Sequence, residues 1–179
     1  MSKLQPWECE GVPWKSEKEY LNWLRSAIRR TWSRHPVKVA YKQQRRYKAP
    51  IGRGGRLIWV SDCEMCGQQH KACEVDHLEG GYGFKDWQSF TEWAKMILWV
   101  TFDEIRELCP SCHSAVTLSQ KLKIPLEDAF IEKEVIEIIK SKKEKTFLKD
   151  HGILPAGNAE KRRDQVRQVL KEELTIDNA

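Results

Sequence analysis

The segments Cys63-Glu64-Met65-Cys66 and Cys109-Pro110-Ser111-Cys112 decide how this chain folds, because each carries two cysteines separated by two residues. Four thiolates arranged in this way can close a tetrahedral zinc site with Zn–S bonds of about 2.3 Å. The N-terminus lacks the apolar segment of a secretory signal, so we expect a cytoplasmic protein whose thiols stay reduced. We therefore predict a structural Zn²⁺ bound by Cys63, Cys66, Cys109 and Cys112, with Cys9 and Cys73 outside the site.

Three further chemically active residues lie beside these cysteines, namely Asp76, His77 and His113. Asp76 supplies a hard anionic oxygen and His113 an imidazole nitrogen to a second, divalent ion, which would act as a Lewis acid on a phosphate. His77, with an ordinary pKa of about 6.5, can accept a proton from water near neutral pH. Adjacent strand residues point to opposite faces, so Asp76 and His77 converge only where the strand ends, which the loop from Leu78 permits. The alternative for His113 is that it replaces a cysteine at the zinc.

A basic segment without any acidic residue extends from Arg25 to Arg56 and contains eleven Lys or Arg residues. Trp32, Tyr41 and Tyr47 are interspersed among these cations, and the whole chain has a net charge of +5. This pattern favours a surface that contacts phosphates and stacks on bases, and the alternative is a solvated helix face followed by a basic loop. The predicted DNA-binding residues are Arg25, Arg29, Arg30, Arg34, Lys42, Arg45, Arg46, Lys48, Arg53 and Arg56.

Capping residues, prolines and apolar periodicity predict the secondary structure. Ser16 to Glu19 and Ser89 to Glu92 both read as capping boxes that open helices, and Pro110 suits the first turn of another helix. The predicted helices cover residues 16–34, 37–47, 89–98, a segment beginning at Pro110, 126–143, 145–151 and 158–173. The predicted strands cover residues 56–60 and 71–77.

These elements predict an α+β fold in three segments: a basic, Trp-rich helical region (1–56), a zinc-containing core (57–124) and a helical C-terminal extension (125–179). The extension could be a DNA-binding module, a dimerisation arm or simply packing for the core. No run of 18 apolar residues occurs, so we expect no membrane partner. DNA is the expected partner, and the protein is expected to be a monomer or a homodimer.

The motifs Cys63–Gly67 (CEMCG), Glu74–His77 (EVDH) and Leu108–His113 (LCPSCH) resemble those of HNH endonucleases, members of the ββα-metal or His-Me finger superfamily. The layout is similar to the phage recombination endonuclease VII type, which has a four-cysteine zinc site. The segment Trp23–Arg30 also resembles the basic helix that precedes the zinc knuckle in many phage HNH proteins.

The resemblance implies a zinc-stapled β-hairpin and helix that hold one Mg²⁺-like ion, Mg²⁺ or Mn²⁺, and that cut DNA to leave 5′-phosphate ends. By the motif, His77 is the general base, and Asp76 and His113 are the ligands of the catalytic ion. A phage origin would place the protein in the cytoplasm of an infected bacterial host.

Two departures from the family pattern bear on function. The family has an asparagine shortly before the second cysteine pair, which orients the loop bearing the base, and here Asp103 or Glu104 stands in that place. The Lys-Thr that commonly follows Cys-His is Val116-Thr117. A second function therefore remains open: a catalytically inactive HNH-like zinc protein that binds DNA, or a transcription or replication partner, as a regulator.

Overall fold

The structure, a computed structural model, describes residues 4–80 and 83–177. It combines α-helices with small antiparallel sheets, which confirms the α+β class. Contacts within the chain define two compact units, an N-terminal unit, Met1–Pro110, and a C-terminal unit, Ser111–Ala179. No helix in the described ranges is long and apolar enough to cross a membrane.

The N-terminal unit contains three α-helices, α1 (Glu17–Ser33), α2 (Pro36–Arg45) and α3 (Trp87–Leu98). Helix α1 begins as predicted, because Ser16 Oγ accepts a hydrogen bond from the Glu19 amide at 3.4 Å. Helix α3 begins two residues before the predicted start. Its N-cap is Asp86, whose Oδ1 accepts from the Ser89 amide at 2.9 Å, so Ser89 is the third helical residue and not the cap.

In the described part of the N-terminal unit, five short strands form two antiparallel sheets. Strands β1 (Tyr47–Ala49), β2 (Ile58–Asp62) and β3 (Gln69–His70) pair in the order β1-β2-β3. Strand β4 (Glu74–His77) pairs with β5 (Ile105–Leu108).

Several predicted boundaries in this region are wrong. Helix α2 stops at Arg45 because Tyr47 pairs with Val60 in the β1–β2 ladder. Strand β2 starts at Ile58, two residues later than predicted, because the carbonyl of Arg56 closes a turn by accepting from the Gly52 amide. Of the predicted strand over residues 71–77, only Glu74–His77 is a strand, β4, and strands β1, β3 and β5 were not predicted.

Small apolar clusters lie inside the N-terminal unit, and two of them are formed by residues that the structure describes. Leu21, Phe84 and Trp93 form the first, which joins α1 to α3. The second joins α2 to the β4–β5 pair and consists of Tyr41, Val75 and Ile105. The second cluster positions the strand that ends at His77.

The later part of the chain is helical, with α4 (Pro110–Leu122), α5 (Leu126–Lys140), α6 (Glu144–Asp150) and α7 (Ala159–Asp177). The first residue of α4, Pro110, is the last residue of the N-terminal unit, and the other described residues of these four helices belong to the C-terminal unit. The predicted starts of these helices are confirmed to within one residue, since each depends on a local signal. Pro110 is the first residue of α4, and Asn158 Oδ1 accepts from the Glu160 amide at 2.7 Å, as a cap does. The apolar core of this unit consists of Ile131, Val135, Leu148, Val166, Val169 and Leu170.

The two compact units differ from the three predicted segments. The predicted boundary at 56/57 falls inside the β1–β2 hairpin, where Lys48 pairs with Trp59. The predicted boundary at 124/125 would separate α4 from α5, whereas contacts group α4 with the later helices and divide the chain after Pro110. Strand pairing and helix packing join residues across the composition changes on which the prediction relied.

Candidate metal centre and acid-lined cleft

The structure brings the four predicted zinc ligands together. The Sγ atoms of Cys63, Cys66, Cys109 and Cys112 all lie within 4.8 Å of one another, and those of Cys66 and Cys109 are 4.0 Å apart. A tetrahedral zinc with bonds of about 2.3 Å requires sulfur–sulfur distances of about 3.8 Å. The four sulfur atoms can therefore bind a zinc ion if the sulfur–sulfur distances shorten slightly.

The turn at the first cysteine pair prepares Cys63 to be a metal-binding thiolate. The Gly67 amide donates to the Cys63 carbonyl at 2.8 Å, and Gly67 has a φ of +70°, which glycine adopts without strain. Burial raises the pKa of the Cys63 thiol, but backbone N–H groups of Cys109, Cys66 and Met65 donate to the sulfur and outweigh it. The resulting pKa of about 6 makes the thiolate the main form at neutral pH.

A pair of glutamates links the first cysteine pair to the strand that leads to the second. The Glu64 amide donates to the Glu107 carbonyl at 2.9 Å, and the Glu107 amide donates to Glu64 Oε1 at 2.6 Å. The Glu107 side chain is fully buried and accepts from Ser61 Oγ at 2.7 Å. Sequence reasoning missed both residues, since nothing in their spacing distinguishes them from surface acids.

The remaining cysteines lie outside the group of four. Cys73 is buried, and its Sγ donates to the Ser61 carbonyl at 3.7 Å. Burial raises its pKa to about 11, so the thiol stays protonated and is a poor metal ligand. Cys9 is exposed, and its Sγ contacts the Gln5 carbonyl at 3.6 Å.

His77 is the last residue of β4, and its imidazole is buried and held in one orientation. Its Nε2 lies 3.1 Å from the Ile97 carbonyl oxygen, and the centres of the His77 and Trp32 rings are 4.3 Å apart. A carbonyl only accepts hydrogen bonds, so Nε2 carries the proton and Nδ1 keeps the lone pair of the neutral ring.

The surroundings of His77 also favour the neutral form. Burial is the largest cause and lowers the pKa of His77, and the charge of Lys38 lowers it further. The Ile97 carbonyl and the carboxylates of Asp76 and Glu104 oppose this without reversing it. His77 is therefore a neutral base at pH 7.

A cleft with a volume of about 680 Å³ opens beside His77 in the N-terminal unit. Its other lining residues come from the segments on both sides of α3 and from α3 itself. They are Leu78, Glu79, Glu92, Lys95, Met96, Trp99, Val100, Asp103 and Glu104. Four carboxylates and one lysine make the cleft electronegative, a setting that suits a hard divalent cation.

The structure does not bring Asp76, His77 and His113 into a second close group. Across residues 4–80 and 83–177, the four cysteines form the only set of three or more potential ligands whose donor atoms lie near one another. Asp76 is partly buried and pairs with Arg106, its partner in the β4–β5 ladder, at 3.8 Å. His113 is partly buried in α4. Convergence of these three residues on one ion stays a prediction.

Glu104 is one of the two residues, with Asp103, that stand where the resemblance leads us to expect an asparagine, and both its side chain and its backbone make hydrogen bonds. Its Oε2 accepts from the Thr101 amide at 2.8 Å, and from Thr101 Oγ1 at 3.0 Å. Its backbone carbonyl accepts from the Leu78 amide at 2.9 Å. The residue thus tethers the segment after His77 through the backbone, while its side chain caps a local turn.

The predicted DNA-binding residues divide into two groups. The Arg25 guanidinium donates to the Phe84 carbonyl, Lys42 Nζ donates to the Cys73 carbonyl at 2.7 Å, and Arg45 pairs with Glu64 at 3.3 Å. These three cations already serve the fold. The exposed members of the prediction are Arg29, Arg30, Arg34, Arg46, Lys48, Arg53 and Arg56.

Comparisons of this chain with protein families, curated proteins and solved structures give no significant match. The resemblance to HNH endonucleases therefore rests on the motif residues themselves.

Proposed function

We propose that this protein is an HNH-type DNA endonuclease that hydrolyses phosphodiester bonds with a divalent metal ion and the general base His77. The observation that carries the proposal is the orientation of His77 at the wall of the acid-lined cleft. Its Nε2 is engaged by the Ile97 carbonyl, so Nδ1 is the nitrogen that can take a proton. We place its action in the cytoplasm, that of an infected bacterium if the chain is phage-encoded.

In this proposal, His77 Nδ1 removes a proton from a water molecule as the water oxygen attacks the phosphorus. The new P–O bond replaces the bond to the 3′ oxygen, which leaves, so the product carries a 5′ phosphate. A burial-lowered pKa keeps the imidazole ready to accept that proton at pH 7. Mg²⁺ or Mn²⁺, when bound, would stabilise the charge that develops on the phosphate and on the leaving oxygen.

The residues beside His77 fit such an ion chemically. The cleft carboxylates of Glu79, Glu92 and Asp103 are oxygen ligands of the kind that Mg²⁺ prefers, and Asp76 precedes the base in the chain. By the family motif, Asp76 and His113 remain the proposed ligands. The four-cysteine group would hold a structural zinc, which is coordinatively closed and therefore leaves the chemistry to the second ion.

The pairing of two strands also supports the proposal. Strands β4 and β5 pair antiparallel and helix α4 follows β5 directly, while α3 lies between the two strands in the chain. An antiparallel strand pair followed by a helix is compatible with the β-hairpin and helix that the resemblance to HNH endonucleases implies. The zinc ligands lie next to these elements, with Cys109 following β5 and Cys112 in the first turn of α4.

One alternative has its own supporting observations. The protein could be a nuclease-inactive zinc protein that binds DNA or a transcription or replication partner. Asp103 or Glu104 stands where the family has the asparagine that orients the loop bearing the base, and the carboxylate of Asp76 is paired with Arg106. The first feature affects how the base is oriented, and the second engages a proposed ligand of the catalytic ion.

Incubation of the purified protein with supercoiled plasmid and added Mg²⁺ or Mn²⁺ tests the proposal. We expect nicked or linear products from the wild type. The His77→Ala variant should lose on the order of 10²–10⁴-fold in rate, because it lacks the general base. His151→Ala is the matched control, since His151 lies in the C-terminal unit outside the cleft.

Zinc content and DNA affinity, measured on the same proteins, show whether a loss of cleavage comes from the chemical step and not from a loss of zinc or of DNA binding. Both should be unchanged in His77→Ala. If the wild type binds DNA but cuts none with either ion, the regulator is the correct function, and Glu104→Asn then tests whether restoring the family residue recovers cleavage. Full activity in His77→Ala would instead reject the assignment of the base.

A further inference from the structure

We propose that Trp59, with Arg46, Lys48 and Lys71, forms a binding site for an unpaired stretch of DNA. One base would stack on the exposed indole, and the adjacent phosphates would contact the three cations. The choice of DNA as the ligand rests on the proposed function, and the site lies apart from the residues that line the His77 cleft.

Trp59 is an exposed aromatic residue on a sheet face, where its indole is accessible. It lies on β2 with 49% of its surface exposed, directly opposite Lys48 of β1 in the ladder. Cross-strand partners point to the same face, so the indole and the Lys48 ammonium lie side by side. Tryptophan is usually highly buried, so a tryptophan that is half exposed on a sheet is a candidate residue for ligand binding.

Cations surround this indole. The guanidinium carbon of Arg46 lies 4.5 Å from the ring centre, and Lys48 Nζ lies 5.5 Å from it. Cation–π contacts of this kind place the two side chains over the ring. Because about half of the residue's surface is still exposed, a base can stack on the open part of the indole while the cations stay near the strand's phosphates.

A small cavity of about 230 Å³ adjoins the indole and adds to the positive charge. It is lined by Lys42, Arg46, Trp59, Val60, Ser61 and Lys71, three of them cations and none of them acidic. Lys42 Nζ is engaged by the Cys73 carbonyl, whereas Arg46 and Lys71 are exposed. A phosphate is the complementary ligand for such a cavity beside an aromatic ring.

The aromatic surface indicates that the strand is unpaired. Bases inside a duplex are stacked on their neighbours and present only their edges in the grooves, so they cannot stack on an indole. An unpaired base can, and such stacking is worth about 1–3 kcal/mol per base with little dependence on sequence. Cations alone would serve duplex and single strand equally.

The test is fluorescence anisotropy without divalent ions, using a labelled oligothymidylate and a labelled duplex of equal length. We expect Trp59→Ala to weaken binding of the single strand by about 5- to 150-fold, the equivalent of one lost stacking contact. Duplex affinity should stay nearly unchanged, and Trp59→Phe should retain most of the single-strand affinity. Trp87→Ala is the matched control, because Trp87 is 44% exposed and lies outside this site.

A charge test uses the same assay. Replacing Arg46 and Lys48 by alanine should lower the slope of log affinity for the single strand against log salt by about 0.7 per lost cation. Unchanged affinity in Trp59→Ala, or equal losses for single strand and duplex, would overturn the proposal. The anisotropy assay measures binding and not cleavage. Its result is therefore independent of whether the plasmid assay supports or rejects the endonuclease proposal.

Discussion

The two compact units are stabilised in different ways. Among the described residues of the N-terminal unit, the buried side chains include aromatic Phe84 and Trp93, several thiols and the polar Ser61, His77 and Glu107. In the described part of the C-terminal unit, a cluster of six aliphatic residues joins α5, α6 and α7. Buried polar groups depend on specific hydrogen bonds, whereas an aliphatic cluster depends on close packing.

This difference explains where chemistry is found. The candidate base, the cleft and the exposed Trp59 all belong to the N-terminal unit, whose polar network can orient individual side chains. The difference can also be measured, because all eight tryptophans lie between residues 7 and 99. Tryptophan fluorescence therefore follows the N-terminal unit, and far-UV circular dichroism follows mainly the helices, including those of the C-terminal unit.

Zinc removal should produce the largest difference between the tryptophan fluorescence signal and the circular dichroism signal. Structural zinc sites contribute on the order of 10–16 kcal/mol of apparent binding free energy, which the folded protein loses with the ion. We expect a chelator, or the Cys109→Ser substitution, to shift tryptophan emission to longer wavelength while much of the helical signal remains. Elemental analysis should find one zinc per chain.

Cys9→Ser is the matched control for this experiment, since Cys9 is exposed and outside the group of four. Its emission spectrum and zinc content should equal those of the wild type. Native protein without zinc would contradict the metal site. Complete loss of helical signal on chelation would show that the helices of the C-terminal unit, which supplies Cys112, also require the ion.

A substitution in the core of the C-terminal unit should instead affect the circular dichroism signal more than the tryptophan fluorescence. Leu148 is fully buried among the six-residue cluster, so Leu148→Ala should lower the free energy of unfolding of this unit by about 2–5 kcal/mol. The transition measured by circular dichroism should move, and the one measured by fluorescence should not. Leu154→Ala, at a residue 88% exposed, should change stability by less than about 0.5 kcal/mol. Equal shifts in both transitions would show that the units unfold together.

The smallest expected effect concerns Glu132, a buried acidic residue of the C-terminal unit. Glu132 is buried and accepts hydrogen bonds from Arg163 and from Arg167 Nε, the latter at 2.9 Å. Glu132→Gln should cost about 1–3 kcal/mol at pH 7, towards the lower value because both arginines are partly exposed. Glu134→Gln, at an exposed position of the same helix, is the control.

The pH dependence of the same variant sharpens this prediction. Burial raises the pKa of Glu132, but the two arginines lower it more, so the folded-state pKa lies below the ordinary 4.5. The contribution of the ionised Glu132 to the free energy of unfolding is therefore complete above pH 4.5, and it disappears as the pH falls through the lowered pKa. Urea unfolding followed by circular dichroism should find the wild type and Glu132→Gln converging in that range, and a constant difference would reject the ionic contribution.

Local sequence signals predicted most of the helices. Ser16, Pro110 and Asn158 each act within one helical turn, so the neighbouring residues suffice to define the start. The two-residue spacing of the cysteine pairs was equally informative, because a zinc knuckle is a local turn. Strands β1 and β5 are three and four residues long and are held by partners far along the chain, so no local pattern indicates them.

The charges of the basic segment were evident from composition, but their roles were not. Arg45 and Arg46 are adjacent and were predicted to contact DNA together. Arg45 pairs with Glu64 of the zinc turn, whereas Arg46 lies over the Trp59 ring. Trp59 itself was not among the predicted DNA-binding residues, because its exposure depends on how β1 and β2 pair.

The sequence by itself determined the four-cysteine group, the α+β class and most helix starts, since these follow from spacings within a few residues. Only the tertiary structure decided which nitrogen of His77 keeps a free lone pair, because the Ile97 carbonyl that engages Nε2 lies 20 residues away. It also decided that Glu64 and Glu107 join the two cysteine pairs across 43 residues. Such contacts arise when packing brings distant segments together, and burial then sets the protonation states on which the chemistry depends.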